Sequence, residues 1–314
     1  MSLRIGSRGS PLALAQSRLV AAMLARHVGA DPSAFPIESF MTSGDRIQGR
    51  LQDQGGKGLF TKELDEALLD GRIDAAVHSM KDLPTRLPDG IVLAAVPARE
   101  DPRDGFIALR AKTLKDLLPG ATVGTASLRR QAQTLHLRPD LKVELLRGRV
   151  ETRLAKIESG AFDATYLALA GLKRLGLEQH AASVVDSEAM PPAPGQGALA
   201  ITARAGDDKS LALLEALNIA EHVITTTAER AFLQALDGSC RTPIAATASI
   251  AGDRLSFLGE VLTPDGKHCW RRRETVALGT DPTGTARDLG LRLGAEIKTE
   301  AGPLYTAHFG DRGW

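Results

Sequence analysis

The residues best suited to chemistry lie at positions 74–84, where a short apolar run leads into charged side chains. Residues 75–77 are predicted to form a buried strand, because a small apolar run between polar residues is typical of a parallel-sheet core. Lys81 and Asp82 follow this strand, and Pro84 prevents it from continuing. Ligands of open α/β sheets lie beyond the carboxyl ends of the strands, so the pair offers a ligand one cation and one proton-transferring carboxylate. Taken alone, such a pair is more often a surface ion pair.

Arginine is concentrated in residues 122–153, which contain seven Lys or Arg but three Asp or Glu. Arg129 and Arg130 fall in the first turn of a predicted helix. Arg147 directly follows a predicted strand, and Arg153 falls in the first turn of the next helix. The helix dipole disfavours cations at a helix N-terminus by a few tenths of a kcal/mol to about 1 kcal/mol. A bound anion with several negative groups explains this placement, and the planar fork of arginine favours carboxylates.

Two alternatives to this anion site are left open. A solvated basic face would also concentrate arginine in one part of the chain. RNA is a second kind of anion, but aromatic residues make up only 4% of the sequence, which leaves few platforms for base stacking.

The turn after the predicted first strand, residues 3–7, is a further candidate anion site. Ser10 and Pro11 form a strong helix start, with the serine as N-cap and the proline at the first helical position. Arg8 lies in the same turn, and the free N–H donors of the helix N-terminus add to its attraction for an anion. An ordinary capped helix with an exposed arginine is the alternative.

A glycine-rich stretch, residues 43–58, contains few apolar residues and is predicted to be a mobile cover over a cleft. Lys57 stands within Gly-Gly-Lys-Gly, which invites comparison with a phosphate-binding loop. The comparison fails because Gly58 follows the lysine where that motif requires Ser or Thr.

The two cysteines form no disulfide framework, which suits a reducing compartment. Cys240 lies in a glycine-containing turn, where position alone favours an inert thiol over a reactive one. Cys269 stands beside Trp270 in a predicted strand, and we interpret it as structural.

Composition limits the classes of function. The 314 residues carry 39 Lys and Arg against 38 Asp and Glu, so no overall electric field indicates nucleic acid. The seven histidines are scattered without metal-ligand spacing. The sequence shows neither the apolar core of a signal peptide nor a run of 18 apolar residues. A cytoplasmic, globular protein that binds no metal, nucleic acid or membrane is therefore expected.

Strands and helices alternate along most of the chain, which predicts α/β lobes with doubly wound, parallel sheets. Two segments that contain proline, 98–102 and 190–197, are predicted crossings between two lobes, as in a hinged binding protein. Alternating strands after residue 243 and a last helix at about 282–299 predict a small α+β C-terminal domain. The predicted domains are 1–97 with 198–217, then 103–191, then 220–314.

Seven blocks of the sequence are specific enough to compare with known families: IGSRGSPLAL at 5–14, GGKGLF at 55–60, VHSMKDLP at 77–84, VGTASLRR at 123–130, AGLKRL at 170–175, PGQG at 194–197 and GSC at 238–240. Together, and in the same order, they resemble the blocks of the porphobilinogen deaminase family, also called hydroxymethylbilane synthases. Two positions depart from the family pattern. Arg149 stands where the family usually has asparagine, and Ser239 stands where glycine is frequent.

The resemblance implies a fold and an activity. The fold has two periplasmic-binding-protein-like doubly wound lobes and a small α+β C-terminal domain. The family enzyme carries a dipyrromethane cofactor in a thioether bond to the cysteine that matches Cys240. It deaminates porphobilinogen and joins four molecules head to tail on that cofactor, and water then releases hydroxymethylbilane for tetrapyrrole synthesis. A cytoplasmic monomer is implied.

The resemblance also implies roles for individual residues. Asp82 matches the catalytic carboxylate, and Cys240 is a covalent anchor rather than a turnover nucleophile. The residues expected to hold the cofactor carboxylates are Lys81, Thr125, Ser127, Arg129, Arg130 and Arg153. The residues expected to hold incoming and growing rings are Arg8, Ser10, Arg147 and Arg174. The glycine-rich stretch would shield the reactive cation from water.

Two other functions are compatible with parts of this pattern. A non-catalytic anion receptor on the same two lobes would have no need of Cys240 and would usually be exported. An RNA-binding protein would use the arginine cluster, and its RNA affinity would depend steeply on salt.

Overall fold

The computed structural model describes residues 2–46, 58–238 and 242–310. Its strands are β1 Ile5–Arg8, β2 Ile37–Phe40, β3 Ala75–Ser79, β4 Ile91–Ala95, β5 Asp104–Ala108, β6 Thr122–Gly124, β7 Lys142–Glu144, β8 Ala164–Ala168, β9 Ser183–Val184, β10 Leu199–Arg204, β11 Ile244–Ala251, β12 Arg254–Leu262 and β13 Cys269–Ala277.

The helices in the same residues are α1 Pro11–Val28, α2 Ser43–Arg46, α3 Lys62–Leu69, α4 Leu128–Leu137, α5 Val150–Glu158, α6 Leu169–Leu175, α7 Asp208–Glu215, α8 Ala220–Ala235 and α9 Pro282–Phe309. Short 3₁₀ turns occur at Pro32–Ala34, Met80–Asp82, Leu114–Asp116 and Glu178–His180.

The chain divides into two compact units. Unit 1 is Met1–Glu100 with Gly197–Val223, and unit 2 is Asp101–Gln196 with Ile224–Trp314. Two of the three division points fall inside the crossings predicted at 98–102 and 190–197, and the third, between Val223 and Ile224, falls within α8. The three predicted domain ranges stay a prediction, because unit 2 contains both the second lobe and the C-terminal sheet.

The sheet of unit 1 has the order β2-β1-β3-β10-β4. Strand β1 is parallel to β2 and β3, whereas β10 is antiparallel to β3 and β4. Successive residues of β3 enter different cores: Ala75 and Val77 pack with α1 and α7, and Ala76 packs with α3. The sheet is therefore covered on both faces, which explains why β3 is a continuous apolar run.

The first sheet of unit 2 has the order β7-β6-β8-β5-β9. Strand β6 is parallel to β7 and β8, and β5 is antiparallel to β8 and β9. This repeats the pattern of unit 1, with three parallel strands followed by one reversed strand. The predicted doubly wound α/β lobes are confirmed, but each sheet contains a reversed strand, β10 in unit 1 and β5 in the sheet of unit 2 that was predicted to be parallel. A strand buried on both faces has the same apolar pattern in either direction, so its sequence does not indicate its direction.

The second sheet of unit 2 is the predicted small C-terminal α+β element. Strands β11, β12 and β13 form an antiparallel meander, and α8 and α9 supply the core against it. Phe232 and Phe257 lie at its centre, with ring centroids 5.3 Å apart. Helix α9 runs beyond the predicted end at about residue 299 and has a kink at Gly302, which has φ 47° and precedes Pro303.

Two further differences concern short segments. Residues 43–46 of the predicted mobile cover form α2, a helix that was not predicted, and residues 47–57 of that cover lie outside the described residues. Strand β9 was not predicted, because two residues are too short for a periodic signal. No helix in the described part of the chain is long and apolar enough to cross a membrane.

Candidate active site

The predicted acid–base pair lies in a 3₁₀ turn directly after β3. Met80 and Leu83 are buried in a core with Ala198 and Ala200, and the backbone N–H of Leu83 donates to the carbonyl of Met80 at 3.0 Å. These two buried side chains fix the turn. Lys81 and Asp82 are consequently half-buried and project from the carboxyl end of a central strand.

The second predicted anion turn lies after β1, where Ser10 accepts a hydrogen bond from the N–H of Ala13 at 3.2 Å and caps α1. The guanidinium of Arg8 lies over the ring of Phe60, 4.3 Å from its centroid. Gln16 of α1 donates to the hydroxyl of Ser79 at 2.9 Å and so joins this helix to the end of β3. Because β1 and β3 are parallel neighbours, the structure brings Arg8 and Ser10 to the same sheet edge as Lys81 and Asp82.

A buried histidine lies on β3 beneath this edge. The Nε2 of His78 is 3.1 Å from the hydroxyl of Thr202. Burial, with a smaller contribution from the charge of Arg8, lowers the pKa of His78 to about 4. His78 is therefore neutral at physiological pH and serves as a hydrogen-bonding core residue.

The arginines of unit 2 also gather at one sheet edge. Strands β6, β7 and β8 are parallel neighbours, so the residues after β6 and β7 lie at the same edge. After β6, the hydroxyl of Thr125 accepts from the N–H of Ser127 at 3.1 Å, and Ser127 caps α4. After β7, Arg147 is half-buried, and Arg153 on α5 donates from Nε to the carbonyl of Gly148 at 2.9 Å.

Of the remaining residues named in the sequence analysis, the structure describes Arg174 and Arg149 but not Ser239 or Cys240. Arg174 is half-buried in the last turn of α6, which follows β8. Arg149, the departure from the family pattern, is exposed at the N-cap of α5, and its side chain makes no capping bond. Cys240 and Ser239 lie outside the described residues.

Arg129 and Arg130 are both buried, and both pair with Asp104. The Nη2 of Arg129 lies 2.8 Å from Oδ2 of Asp104, and the Nη2 of Arg130 lies 2.7 Å from Oδ1. Burial alone would raise the pKa of Asp104, but the charges and hydrogen bonds of the two arginines outweigh it and hold that pKa well below its usual range. Asp104 is therefore ionised.

This pairing corrects one step of the sequence-based argument. The need for an anion from outside the chain does not follow from the positions of Arg129 and Arg130, because Asp104 supplies a carboxylate internally. Two guanidinium groups against one carboxylate leave this group of three side chains with one net positive charge. The assignment of the two arginines to the cofactor stays a prediction.

Sequence reasoning missed Asp104 because it treated β5 as parallel. Since β5 is antiparallel to β8, its first residue lies opposite Ala168 at the carboxyl end of β8, where the arginines gather. Gln196, in the Pro-Gly-Gln-Gly block, donates from Nε2 to Oδ1 of Asp104 and to the carbonyl of Pro102, each at 2.7 Å. The sequence did contain one signal: Asp104 is an acidic residue that follows a predicted crossing and begins an apolar strand.

The second cysteine is placed as predicted. Cys269 is half-buried in β13. Burial, and to a smaller extent the charge of Glu260, raises the pKa of its thiol to about 12, so the thiol stays protonated and unreactive at neutral pH. Across residues 2–46, 58–238 and 242–310, His, Cys, Asp and Glu form no cluster that could hold a metal ion.

Comparison with known proteins covers nearly the whole chain. Residues 3–212 match the family described as porphobilinogen deaminase, dipyrromethane cofactor binding domain, and residues 223–299 match the porphobilinogen deaminase C-terminal domain. The chain is 52% identical over 310 residues to the porphobilinogen deaminase of Phenylobacterium zucineum, with 96% of this chain and 97% of that protein covered. It is 54% identical over 310 residues to that of Caulobacter vibrioides, with 96% of each covered.

Among solved structures, the methionine-binding protein MetQ is 15% identical, with a TM-score of 0.42 over 69% of this chain and 89% of that chain. The two matched domains and the identity to named relatives decide the assignment. The resemblance of the sequence blocks is thereby confirmed, and the chain belongs to the porphobilinogen deaminase family.

Proposed function

We propose that the chain is a hydroxymethylbilane synthase in which Asp82 transfers the protons and Cys240 is the covalent anchor of the dipyrromethane. The observation that carries this proposal is the half-buried carboxylate of Asp82. It lies in a turn fixed by two core residues, and the cations of Lys81 and Arg8 lie at the same sheet edge.

The donor set of unit 2 suits the cofactor. Each pyrrole ring of a dipyrromethane carries two carboxylate side chains, and the edge after β6 and β7 presents arginine and hydroxyl donors with a net positive charge. The residues that would hold these carboxylates are Lys81, Thr125, Ser127, Arg129, Arg130 and Arg153. When bound, the dipyrromethane supplies a pyrrole carbon to which the next ring is joined.

Asp82 does the proton chemistry on the substrate. Its carboxyl group donates a proton to the amine of porphobilinogen, so that the carbon–nitrogen bond breaks and ammonia leaves. The resulting carboxylate accepts a hydrogen bond from the pyrrole N–H and stabilises the positive charge left on that ring. Asp82 then takes up the proton displaced when the new carbon–carbon bond forms. The residues that would hold the substrate carboxylates are Arg8, Ser10, Arg147 and Arg174.

Intact-mass analysis of the purified protein tests the anchor. The expected mass exceeds that of the polypeptide by two linked pyrrole units, and Cys240→Ala lacks this addition. Cys269→Ala is the matched control and keeps it, because this thiol is protonated and has no assigned role. A wild-type protein without the addition would refute the proposal and would favour an anion receptor.

Kinetics of ammonia release test the acid. Asp82→Asn keeps the covalent addition and the fold but releases ammonia at least about a hundredfold more slowly, since general acid catalysis contributes a factor of this order. Asp89→Asn, an exposed carboxylate seven positions later, retains the wild-type rate. Full activity in Asp82→Asn would remove the proposed role.

The resemblance further supports a cytoplasmic monomer. Light scattering of the purified protein at several concentrations, together with fractionation of the cells that make it, tests both properties. A concentration-independent mass near 33.3 kDa is expected for the monomer.

A further inference from the structure

Gln133 lies on α4, one turn after Arg129, and is 1% exposed. Its Oε1 accepts a hydrogen bond from Nη1 of Arg129 at 2.9 Å. Its Nε2 donates to Oε1 of Glu260 at 2.9 Å and to the carbonyl of Pro191 at 3.0 Å. Chemistry fixes this orientation, because a guanidinium can only donate whereas a carboxylate and a carbonyl can only accept.

Glu260 belongs to β12 of the C-terminal sheet and is 1% exposed. Its other oxygen, Oε2, accepts hydrogen bonds from Nε of Arg271 at 2.9 Å and from Nη2 of the same residue. A continuous buried path of hydrogen bonds therefore runs from Asp104 through Arg129 and Gln133 to Glu260. It connects the arginine helix α4 to the sheet of the C-terminal domain.

The neutral amide at position 133 preserves the charge of the site. Arg129, Arg130 and Asp104 together carry one net positive charge, and Gln133 separates them from the carboxylate of Glu260. A carboxylate at position 133 would still accept from Arg129, but it would cancel that net charge. Hydrogen bonding and charge at this position can therefore be varied separately.

We propose that Gln133 is a positioning residue that orients Arg129 for the cofactor carboxylates and joins it to the domain that carries Cys240. The inference rests on the proposed function, in which Arg129 binds the cofactor and Cys240 anchors it. Its two requirements are a hydrogen-bond acceptor facing Arg129 and the absence of negative charge at that acceptor.

The test compares Gln133→Met, Gln133→Glu combined with Glu260→Gln, and the matched control Gln131→Met. Gln131 lies on the same helix and also donates to the C-terminal domain, at 3.2 Å to the carbonyl of Pro264, but its side chain forms no hydrogen bond with Arg129 or Arg130. Folded monomer of each variant is isolated, and the ratio of adduct-bearing to adduct-free protein is read by intact mass. This ratio is a property of the folded molecules, so a loss of stability alone does not change it.

We expect wild type and Gln131→Met to be fully loaded, and the ratio to fall by about tenfold in Gln133→Met, since a hydrogen bond to a charged group is lost. Gln133→Glu is made together with Glu260→Gln, because a carboxylate at position 133 would otherwise lie against the buried carboxylate of Glu260. This double variant keeps the hydrogen bond to Arg129, provides a second measurement if the methionine variant does not fold, and is expected to load at least as poorly. Wild-type loading in both Gln133 variants would overturn this inference alone. A wild-type protein without adduct would instead overturn the proposed function.

Discussion

Arg130 forms a bidentate ion pair with Asp104, with Nη2 to Oδ1 at 2.7 Å and Nε to Oδ2 at 3.1 Å. The Nη2 of Arg129 donates to the same Oδ2 at 2.8 Å, and the Nε2 of Gln196 donates to Oδ1 at 2.7 Å. Each oxygen of Asp104 thus accepts two hydrogen bonds, and its side chain is fully buried. A carboxylate in this position holds two like charges together where water cannot screen them.

Asp104→Asn is expected to destabilise the protein by about 3 kcal/mol, because the substitution leaves two buried guanidinium groups without their counter-charge. Urea unfolding at pH 7 measures the change. Asp140→Asn is the matched control: Asp140 also receives two hydrogen bonds from one arginine, Arg138 at the C-terminal end of α4, but that pair lies at the surface. The loss of stability in Asp140→Asn should be much smaller. Equal losses would show that burial does not determine the contribution of Asp104.

The buried His78 makes stability depend on pH. Its pKa in the folded state is about 4, whereas an unfolded histidine has a pKa near 6.5. Between these values the unfolded chain binds the proton and the folded chain does not, so stability falls as pH decreases from 6.5 to 4, by up to about 3 kcal/mol. The urea midpoint measured between pH 7.5 and 4.5 should fall less in His78→Gln than in wild type. Parallel curves would contradict the assignment.

Asp65 provides a control of opposite sign. It is buried on α3, and burial raises its pKa to about 6 from 3.8. The folded chain binds the proton in this interval and the unfolded chain does not, so this group lowers stability as pH rises from 3.8 to 6. Asp65→Asn removes that loss. The same urea series should therefore show a steeper fall toward low pH in Asp65→Asn than in wild type.

Arg149→Asn restores the usual family residue and should stabilise the protein by about 0.5–1 kcal/mol. Arg149 is the N-cap of α5 in extended conformation, with φ −65° and ψ 167°, and its side chain makes no capping bond. Asparagine at this position can accept a hydrogen bond from the first turn. Thermal unfolding measures the gain. Because the arginine side chain is exposed, the KM for porphobilinogen is expected to stay within about twofold, as for a surface charge.

Asp281→Ala tests the same capping effect in the opposite direction, because it removes a helix cap instead of adding one. Asp281 caps α9 and accepts from the N–H of Gly284 at 2.9 Å, so its removal should cost about 1 kcal/mol. If Asp281→Ala loses stability but Arg149→Asn does not gain it, the arginine already contributes to the start of α5. A KM that rises well above twofold would indicate that Arg149 contacts a substrate carboxylate.

Much of the fold could be predicted from the sequence because its signals are local. The apolar run at 75–77 and the Ser10-Pro11 helix start both reappear in the structure, as β3 and the cap of α1. Strand direction could not be predicted, because it depends on how the chain re-enters a sheet after each crossing. For that reason Asp104 was assigned no role from the sequence, although the reversed direction of β5 places it beside the carboxyl end of β8.

The residues of the candidate site differ in the same way: those with a local sequence signal could be predicted, and those that depend on distant contacts could not. Lys81 and Asp82 could be recognised because they directly follow a strand, where position in the sequence nearly equals position in the fold. Contacts such as Gln196 with Asp104, 92 positions apart, and Gln133 with Glu260, 127 apart, join segments with no local pattern in common. These polar side chains form hydrogen bonds with each other because they are buried, and the burial of a polar residue cannot be recognised from composition or periodicity.

Gly266→Ala tests how the C-terminal sheet is docked on α4. Gly266 has φ 73° in the turn between β12 and β13, and a Cβ there would lie 2.5 Å from the backbone N of His136 and 2.7 Å from the carbonyl oxygen of Ala132. The helix backbone cannot yield as a side chain would, so the turn must move, and we expect a loss of about 3 kcal/mol in urea unfolding. Gly252→Ala is the matched control in the other hairpin of the same sheet: its φ is 61°, but nothing lies within 4 Å of the added Cβ. That variant should lose about 1 kcal/mol, from backbone strain alone.

Equal losses in the two variants would mean that the turn at Gly266 does not pack against α4. The hydrogen-bond path from Gln133 to Glu260 would then lack the support of this neighbouring contact.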